Sequence, residues 1–389
     1  MENQKPSLSV KKYNREQPFL ASIKDRYRLS RPGSVKESFH IVLDISGSDI
    51  VYRPGDTIAV LPENAPHSIN RTLKVLGCSG DTLVPFGRDK KMYALKDLLR
   101  YNANISDVNK SLLQELASFT KAGEQIKHLL EPENKSEMRS YLEEHQVWDF
   151  LEKHLDPNHK LSADTLCKHL RPLIPRFYSI SSSAMLYPNE VHFTITVPIY
   201  ETNGIKRQGV AAGYLCEHAP LNKSLIPIYL QPTKDFLLPK SGDTSIIMIG
   251  PGTGVAPFRG FIQERFARGD TGENWLFFGE CHRQFNYFYE DEWSKYCDSN
   301  FLRLDLAFSR DQEKKVYVQH KLEENASEIW SWVQDGAVIY VCGDAKHMAK
   351  DVDKVLHDIA QSEGHMSEKE AKAFIKDLRK QGRYLKDVY

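Results

Sequence analysis

The stretch "SIIMIGPGTGVAPFRGF", Ser245–Phe261, limits the fold more than any other part of this chain. An apolar run of strand length passes into Gly250, Gly252 and Gly254 and then into a helical pattern. The same rhythm returns in "WLFFGE", "FLRLDLAFS" and "AVIYVCG", the last followed by "HMAKDVDKVLHDIA". Short apolar strands alternating with helices predict a doubly wound parallel sheet over 239–389. Its last helix opens on a capping box, Ser367 to Glu370. The glycines allow a tight turn and a close backbone approach, so amides at the helix start can face a pyrophosphate. Tight turns use glycine in any case, and the spacing departs from G-x-G-x-x-G, so the loop alone leaves ligand binding open.

Upstream the rhythm is different. "SFHIVLDIS" alternates Phe39, Ile41, Leu43 and Ile45, and "VYRPGDTIAV" carries a Pro54-Gly55-Asp56 turn, which together read as antiparallel strands. From about 66 the period becomes helical, with Leu112, Leu116 and Phe119, then Leu142, Val147 and Leu151, at spacings of three to five. Strands return at "RFYSISS" and in "VHFTITVPIY", where Phe193, Ile195, Val197 and Ile199 alternate. An antiparallel barrel over 18–65 and 166–238, interrupted by a helical lobe over 66–165, explains this order. Residues 1–17 form an N-terminal extension.

Composition narrows the function. The 389 residues carry 52 basic and 52 acidic side chains, so no global charge draws the chain to nucleic acid or anionic lipid. The start lacks a signal peptide's apolar region and no apolar run approaches a membrane span, which predicts a soluble, cytoplasmic protein. The six cysteines, at 78, 167, 216, 281, 297 and 342, form no C-x-x-C pair, so neither a disulfide framework nor a metal site is expected.

Two further segments carry chemistry. "SRDQEKKVYVQ" puts Ser309, Arg310, Lys315, Tyr317 and Gln319 after a strand of the parallel sheet, where ligands bind and where an Arg accommodates the 2′-phosphate of NADP. In "RFYS", Arg176 can clamp a phosphate, Tyr178 can lie on a planar ring, and Ser179 can bond a ring nitrogen. A barrel strand with an outward Arg and an inward aromatic is the competing reading.

Taken together, Arg176-Phe177-Tyr178-Ser179, "GPGTGVAPFRGF", "SRDQEKKVYVQH", "YVCGDAKHMAKDV" and "RYLKDVY" resemble the ferredoxin-NADP reductase-like module of the diflavin reductases. Within that family the likeness is greatest to the flavoprotein subunits of NADPH-sulfite reductase, and it runs from about Pro18 to Tyr389. The resemblance implies that Arg176, Phe177, Tyr178 and Ser179 bind FAD, with Thr194, Ile195, Thr196 and Tyr200 lining it and Gly209, Val210, Ala211 and Ala212 cradling its pyrophosphate. Ala212 departs from the family, which often has Ser or Thr there; the lost hydrogen bond is worth about 0.5–1.5 kcal/mol.

It further implies that Thr253 approaches the nicotinamide side, while Ser309, Arg310, Lys315, Tyr317, Gln319 and Asp351 hold the adenosine end of NADPH, with Val316 and Val318 among the cofactor-binding residues. Ser179, Cys342, Asp387 and Tyr389 then form the catalytic cluster, with Tyr389 stacking on the flavin and swinging away to admit nicotinamide. The family's flavodoxin domain has no room ahead of the barrel strands, so a separate acceptor is expected: a flavodoxin, a ferredoxin or a haem-containing reductase subunit. The resulting expectation is an FAD-dependent NADPH oxidoreductase. Electron flow toward NADPH formation, a flavin-free NADPH-binding regulator and a catalytically silent assembly module are the alternatives.

Overall fold

The computed structural model describes residues 13–117, 123–155 and 161–389. Phe119 and most of the expected N-terminal extension lie outside them. By compactness the chain divides into two units, one running up to Ala59 and including Phe177–Thr196 and Leu221–Tyr389, the other comprising Val60–Arg176 and Val197–Pro220.

Six strands, in the first unit but for their end residues Val60, Arg176 and Val197, build the antiparallel sheet: β1 (Phe19–Arg28), β2 (Glu37–Asp44), β3 (Thr57–Val60), β4 (Arg176–Ser179), β5 (Glu190–Val197) and β6 (Leu225–Gln231). Their order is β4-β3-β6-β1-β2-β5, and an antiparallel bridge from Ile180 to Phe193 joins the two ends into a closed ring. Closure removes the free edges that an open sheet would expose. Both faces of β2 are buried. Ile41 and Leu43 face one side, while Ser38, His40 and Val42 face the other, where the His40 ring meets Tyr289. Alternation therefore predicted the strand but not the cover on its second face.

The same unit contains a five-stranded parallel sheet: β7 (Ile246–Ile249), β8 (Asn274–Glu280), β9 (Arg303–Phe308), β10 (Val338–Gly343) and β11 (Tyr384–Val388). The order β9-β8-β7-β10-β11 reverses at β7. Successive residues of β7 feed two cores, Ile247 and Ile249 packing with Trp275 and Val341 on one face, and Ile246 and Met248 with Phe258 and Tyr340 on the other. Burial on both faces is why these strands read as unbroken apolar runs.

The helix Ala256–Arg268 has Pro257 in its first turn and ends where Gly269 turns left-handed at φ 71°. Glu368–Lys380 opens on the Ser367–Glu370 capping box.

The second unit is largely helical around its own core, in which Leu112, Leu113, Leu116, Val147, Phe150 and Leu151 are buried. Each such side chain contributes roughly 1.5–3 kcal/mol on leaving water. Three short antiparallel pairs complete it: Leu83–Phe86 with Lys91–Ala94 and Ala103–Asn104 with Arg171–Pro172, which the helical period did not reveal, and Ile199–Thr202 with Ile205–Gln208.

Candidate functional site

Reversal of strand order at β7 opens a crevice beyond the carboxyl ends of β7 and β10, the usual ligand position in such sheets. The glycine loop fills one wall of it. A Cβ on Gly254 would stand 2.1 Å from the Cys342 carbonyl oxygen, so only glycine lets the loop lie against the end of β10. Gly252 has φ 59°, a left-handed conformation that favours glycine.

β11 runs parallel to β10 with Asp387 opposite Cys342. Asp387 Oδ2 accepts a hydrogen bond from Ser179 Oγ at 3.0 Å and lies 4.0 Å from Cys342 Sγ. Burial raises the Asp387 carboxyl above its usual range, with the Ser179 hydrogen bond working partly against this. Burial, reinforced by the Asp387 charge, pushes the Cys342 thiol well up. The sulfur is therefore a neutral, polarizable thiol rather than a thiolate.

Tyr389 is held by its backbone, donating to Gly343 O at 3.1 Å and accepting from Ala345 N at 3.1 Å. The residue remains 66% exposed, and its hydroxyl is hydrogen-bonded with Thr253 Oγ1 at 2.7 Å. The structure thus brings Ser179, Cys342 and Asp387 together and attaches Tyr389 to the glycine loop. Tyr178, half-buried, has its ring 5.7 Å from that of Phe193, while Phe177 is exposed.

The nucleotide side of the crevice is a cleft of about 510 Å³, whose lining includes Gly252, Ser309, Tyr317, Val318, Gln319 and Asp351. Ser309 is fixed by its amide, which donates to Glu280 O at 2.8 Å. Gln319 Nε2 donates to Asp351 Oδ2 at 3.2 Å. Val318 forms floor, since a Cβ on Gly279 would meet its Cγ1 at 2.9 Å, and Val316 packs on the core. Arg310 and Lys315 are exposed between Ser309 and Tyr317, and neither makes a side-chain ion pair among the described residues.

Lys36, from the β1–β2 connection, also lines this cleft and pairs with Glu280 at 2.8 Å; the Glu280 side chain is 2% exposed. Sequence reading missed both residues. They lie 244 positions apart and belong to no motif.

Two site candidates on β5 have internal partners and a third is buried. Thr194 Oγ1 is hydrogen-bonded with Tyr289 OH at 2.6 Å, Thr196 Oγ1 with Ser38 Oγ at 2.7 Å, and Ile195 is buried.

In the second unit, Gly209 precedes the turn Val210–Gly213 with no side chain capping it, so the first amides, from Val210, Ala211 and Ala212, have no side-chain acceptor there. The lining of a groove of about 570 Å³ includes Lys110, Lys135, Arg139, Arg171, Tyr200 and Arg207, with the acids Asp107 and Glu143 among them. Arg207 is 2% exposed and pairs with Asp149, yet its Nη1 is buried without an acceptor among the described residues. Such an orphaned donor is costly unless a ligand meets it. Arg176 of the same unit is exposed, with no side-chain carboxylate paired to it among the described residues. Gly209 and Val210 line a separate cavity of about 230 Å³ that shares Arg207 with this groove, so basic side chains and uncapped amides that suit anionic phosphates, such as those of FAD, meet around Arg207.

Among the described residues no group of His, Cys, Asp and Glu is arranged to hold a metal, and no helix is long and apolar enough to cross a membrane.

Residues 11–214 match the FAD binding domain family. The chain belongs to that family. Beyond this FAD-binding region, residues 248–354 match the oxidoreductase NAD-binding domain, a stretch that takes in most of the parallel sheet but not β11. Curated relatives include the sulfite reductase [NADPH] flavoprotein alpha-components of Bacillus subtilis, 39% identical over 97% of this chain and 62% of that protein, and of Zymomonas mobilis, 41% identical over 98% and 62%. That of Vibrio vulnificus is 39% identical over 97% of this chain and 60% of its own length. The FAD-binding chain therefore spans about three fifths of the length of these relatives.

Proposed function

We propose that this chain takes hydride from NADPH onto FAD and passes the electrons to a separate acceptor protein, as a sulfite reductase flavoprotein-like oxidoreductase. The contact of Ser179 with Asp387 beside Cys342 carries the reading, because it gathers a carboxylate, a hydroxyl and a thiol at the crevice beyond the carboxyl ends of β7 and β10. NADPH loses the C4 hydride with its electron pair and becomes NADP⁺; FAD, when bound, accepts that pair and can release its electrons singly.

Asp387 stabilises the positive charge that develops on nicotinamide as hydride leaves. Cys342 sets how closely the ring approaches, and Ser179 orients the Asp387 carboxylate. Arg310 and Lys315, both exposed and without ion pairs among the described residues, supply the charge for a 2′-phosphate, which favours NADPH over NADH.

Arg176, Phe177, Tyr178 and Tyr200, with the backbone of Gly209 to Ala212, are the FAD ligands in this reading. Thr194, Ile195 and Thr196 support the strand beside it. That the relatives are alpha-components supports a protein acceptor, and a haem-containing subunit, a flavodoxin or a ferredoxin has suitable chemistry. The balanced charge and the absence of an apolar span among the described residues are in keeping with work in the cytoplasm.

Purification of the chain with its bound flavin, followed by NADPH-driven reduction of ferricyanide, tests this. A yellow protein that reduces ferricyanide with NADPH supports it; a colourless protein that FAD does not reconstitute contradicts it.

A further inference from the structure

We propose that Arg259, together with Gly260, is a positioning residue that fixes the strand bearing Ser179 against the loop bearing Thr253, and so sets how nicotinamide meets the flavin. The inference rests on the hydride-transfer reading above and assigns that reaction a residue outside its binding clefts.

The segment Ser181–Ser183, one residue beyond β4, is wholly buried. Its outer side is held by the barrel, where Ser181 N donates to His192 O at 2.8 Å and Ser182 Oγ is hydrogen-bonded with Tyr52 OH at 2.7 Å. Its inner side is held by one helix, Ala256–Arg268. Arg259 Nη1 donates to Ser181 O at 2.7 Å, and Ser183 N donates to Gln263 Oε1 at 3.1 Å. The Ser183 hydroxyl donates to Glu264.

Gly260 makes this approach possible. A Cβ there would stand 3.0 Å from Ser182 O and 3.4 Å from Ile180 O. Arg259 is itself locked, since Nε donates to Glu292 Oε2 at 2.7 Å and its guanidinium lies 4.8 Å from the centre of the Tyr289 ring. Gln263 Nε2 donates to the other oxygen of Glu292 at 2.7 Å.

Short covalent links on both sides turn this contact into a ruler. The helix continues from the turn Gly252–Val255, which contains Thr253, so Arg259 lies within two turns of it. Ser181 is two residues from Ser179. Little slack separates the nicotinamide loop from the flavin strand. Apolar packing would seat a helix at lower desolvation cost than a buried guanidinium. What the guanidinium adds is direction, because its rigid fork satisfies a carbonyl and a carboxylate at once in a way an ammonium does not reproduce.

Arg259→Lys and Gly260→Ala in the FAD-loaded full chain test the idea by two readouts. Flavin reduction at saturating NADPH is expected to slow on the order of tenfold to a hundredfold, as for a misplacement near 1 Å. FAD content and affinity for 2′,5′-ADP should stay unchanged. Amide hydrogen exchange across residues 179–183 should speed up in both variants, with or without FAD. Unaltered exchange there, or a lower melting temperature with an unaltered reduction rate, overturns the proposal. Should Arg259→Lys not retain FAD, Gly260→Ala decides alone. If the unsubstituted protein is not reduced by NADPH, the hydride reading fails, and the exchange comparison still decides whether Arg259 positions the strand.

Discussion

The hydroxyl of Tyr389 is hydrogen-bonded with Thr253 Oγ1 at 2.7 Å, which joins an exposed aromatic ring to the glycine loop at the mouth of the crevice. In the role that the family resemblance implies for Tyr389, the ring occupies the place that nicotinamide needs. Removing it should abolish the cost of displacement, so Tyr389→Ala is expected to bind NADP⁺ about tenfold more tightly. Calorimetry with NADP⁺ measures this; unchanged affinity would show that the ring does not compete.

Asp387 gives a prediction in pH. Burial holds its proton above the usual carboxylate range, and the ionised form is the one that stabilises developing positive charge. The rate of flavin reduction should therefore fall as pH drops through a value above that of an ordinary aspartate. Asp387→Asn should lower the rate on the order of a hundredfold or more and remove that dependence. A variant that keeps both the rate and the pH profile would take Asp387 out of the chemistry.

Arg310 should decide between nicotinamide cofactors. A charged hydrogen bond to phosphate contributes about 1.5–3 kcal/mol. Arg310→Ala is expected to lose roughly tenfold to a hundredfold in kcat/KM for NADPH and almost nothing for NADH. Equal losses with both would place its effect elsewhere.

His192 predicts loss of stability in mild acid. Burial, with Arg259 beside it and against the pull of Glu190, lowers its pKa to about 4, and His40, hydrogen-bonded to it at 3.2 Å, is lowered well below its usual value by burial, then Arg259 and His192. Both rings are neutral when folded, whereas the unfolded chain takes up protons near pH 6.5. Their contribution is therefore complete above that pH and is lost as pH falls toward 4. His192 alone accounts for about 2 kcal/mol between pH 7 and pH 5. Urea unfolding at the two pH values checks this, and a His192→Gln variant should show a flatter profile.

How much the sequence revealed depended on whether a feature was local. Gly254 announced a strand-to-helix loop because close approach to the Cys342 carbonyl admits no side chain, and the apolar runs of β7, β8 and β10 announced a sheet covered on both faces. The Ser367 capping box was legible because its partners are three residues apart. Lys36 and Glu280 were not, since an ion pair between a barrel connection and a parallel strand leaves no periodic trace. Nor were the buried contacts of His40, Thr194 and Arg259, which depend on which face of the barrel sheet is covered. Arg207 looked like an ordinary strand residue until its pairing with Asp149 and its unmet Nη1 became visible.

Anaerobic stopped-flow mixing of the FAD-loaded protein with NADPH, and separately with NADH, tests the central claim most directly. The account predicts rapid bleaching of the flavin band by NADPH and much slower bleaching by NADH. A band that neither nucleotide bleaches would contradict hydride transfer at the Ser179–Asp387 cluster.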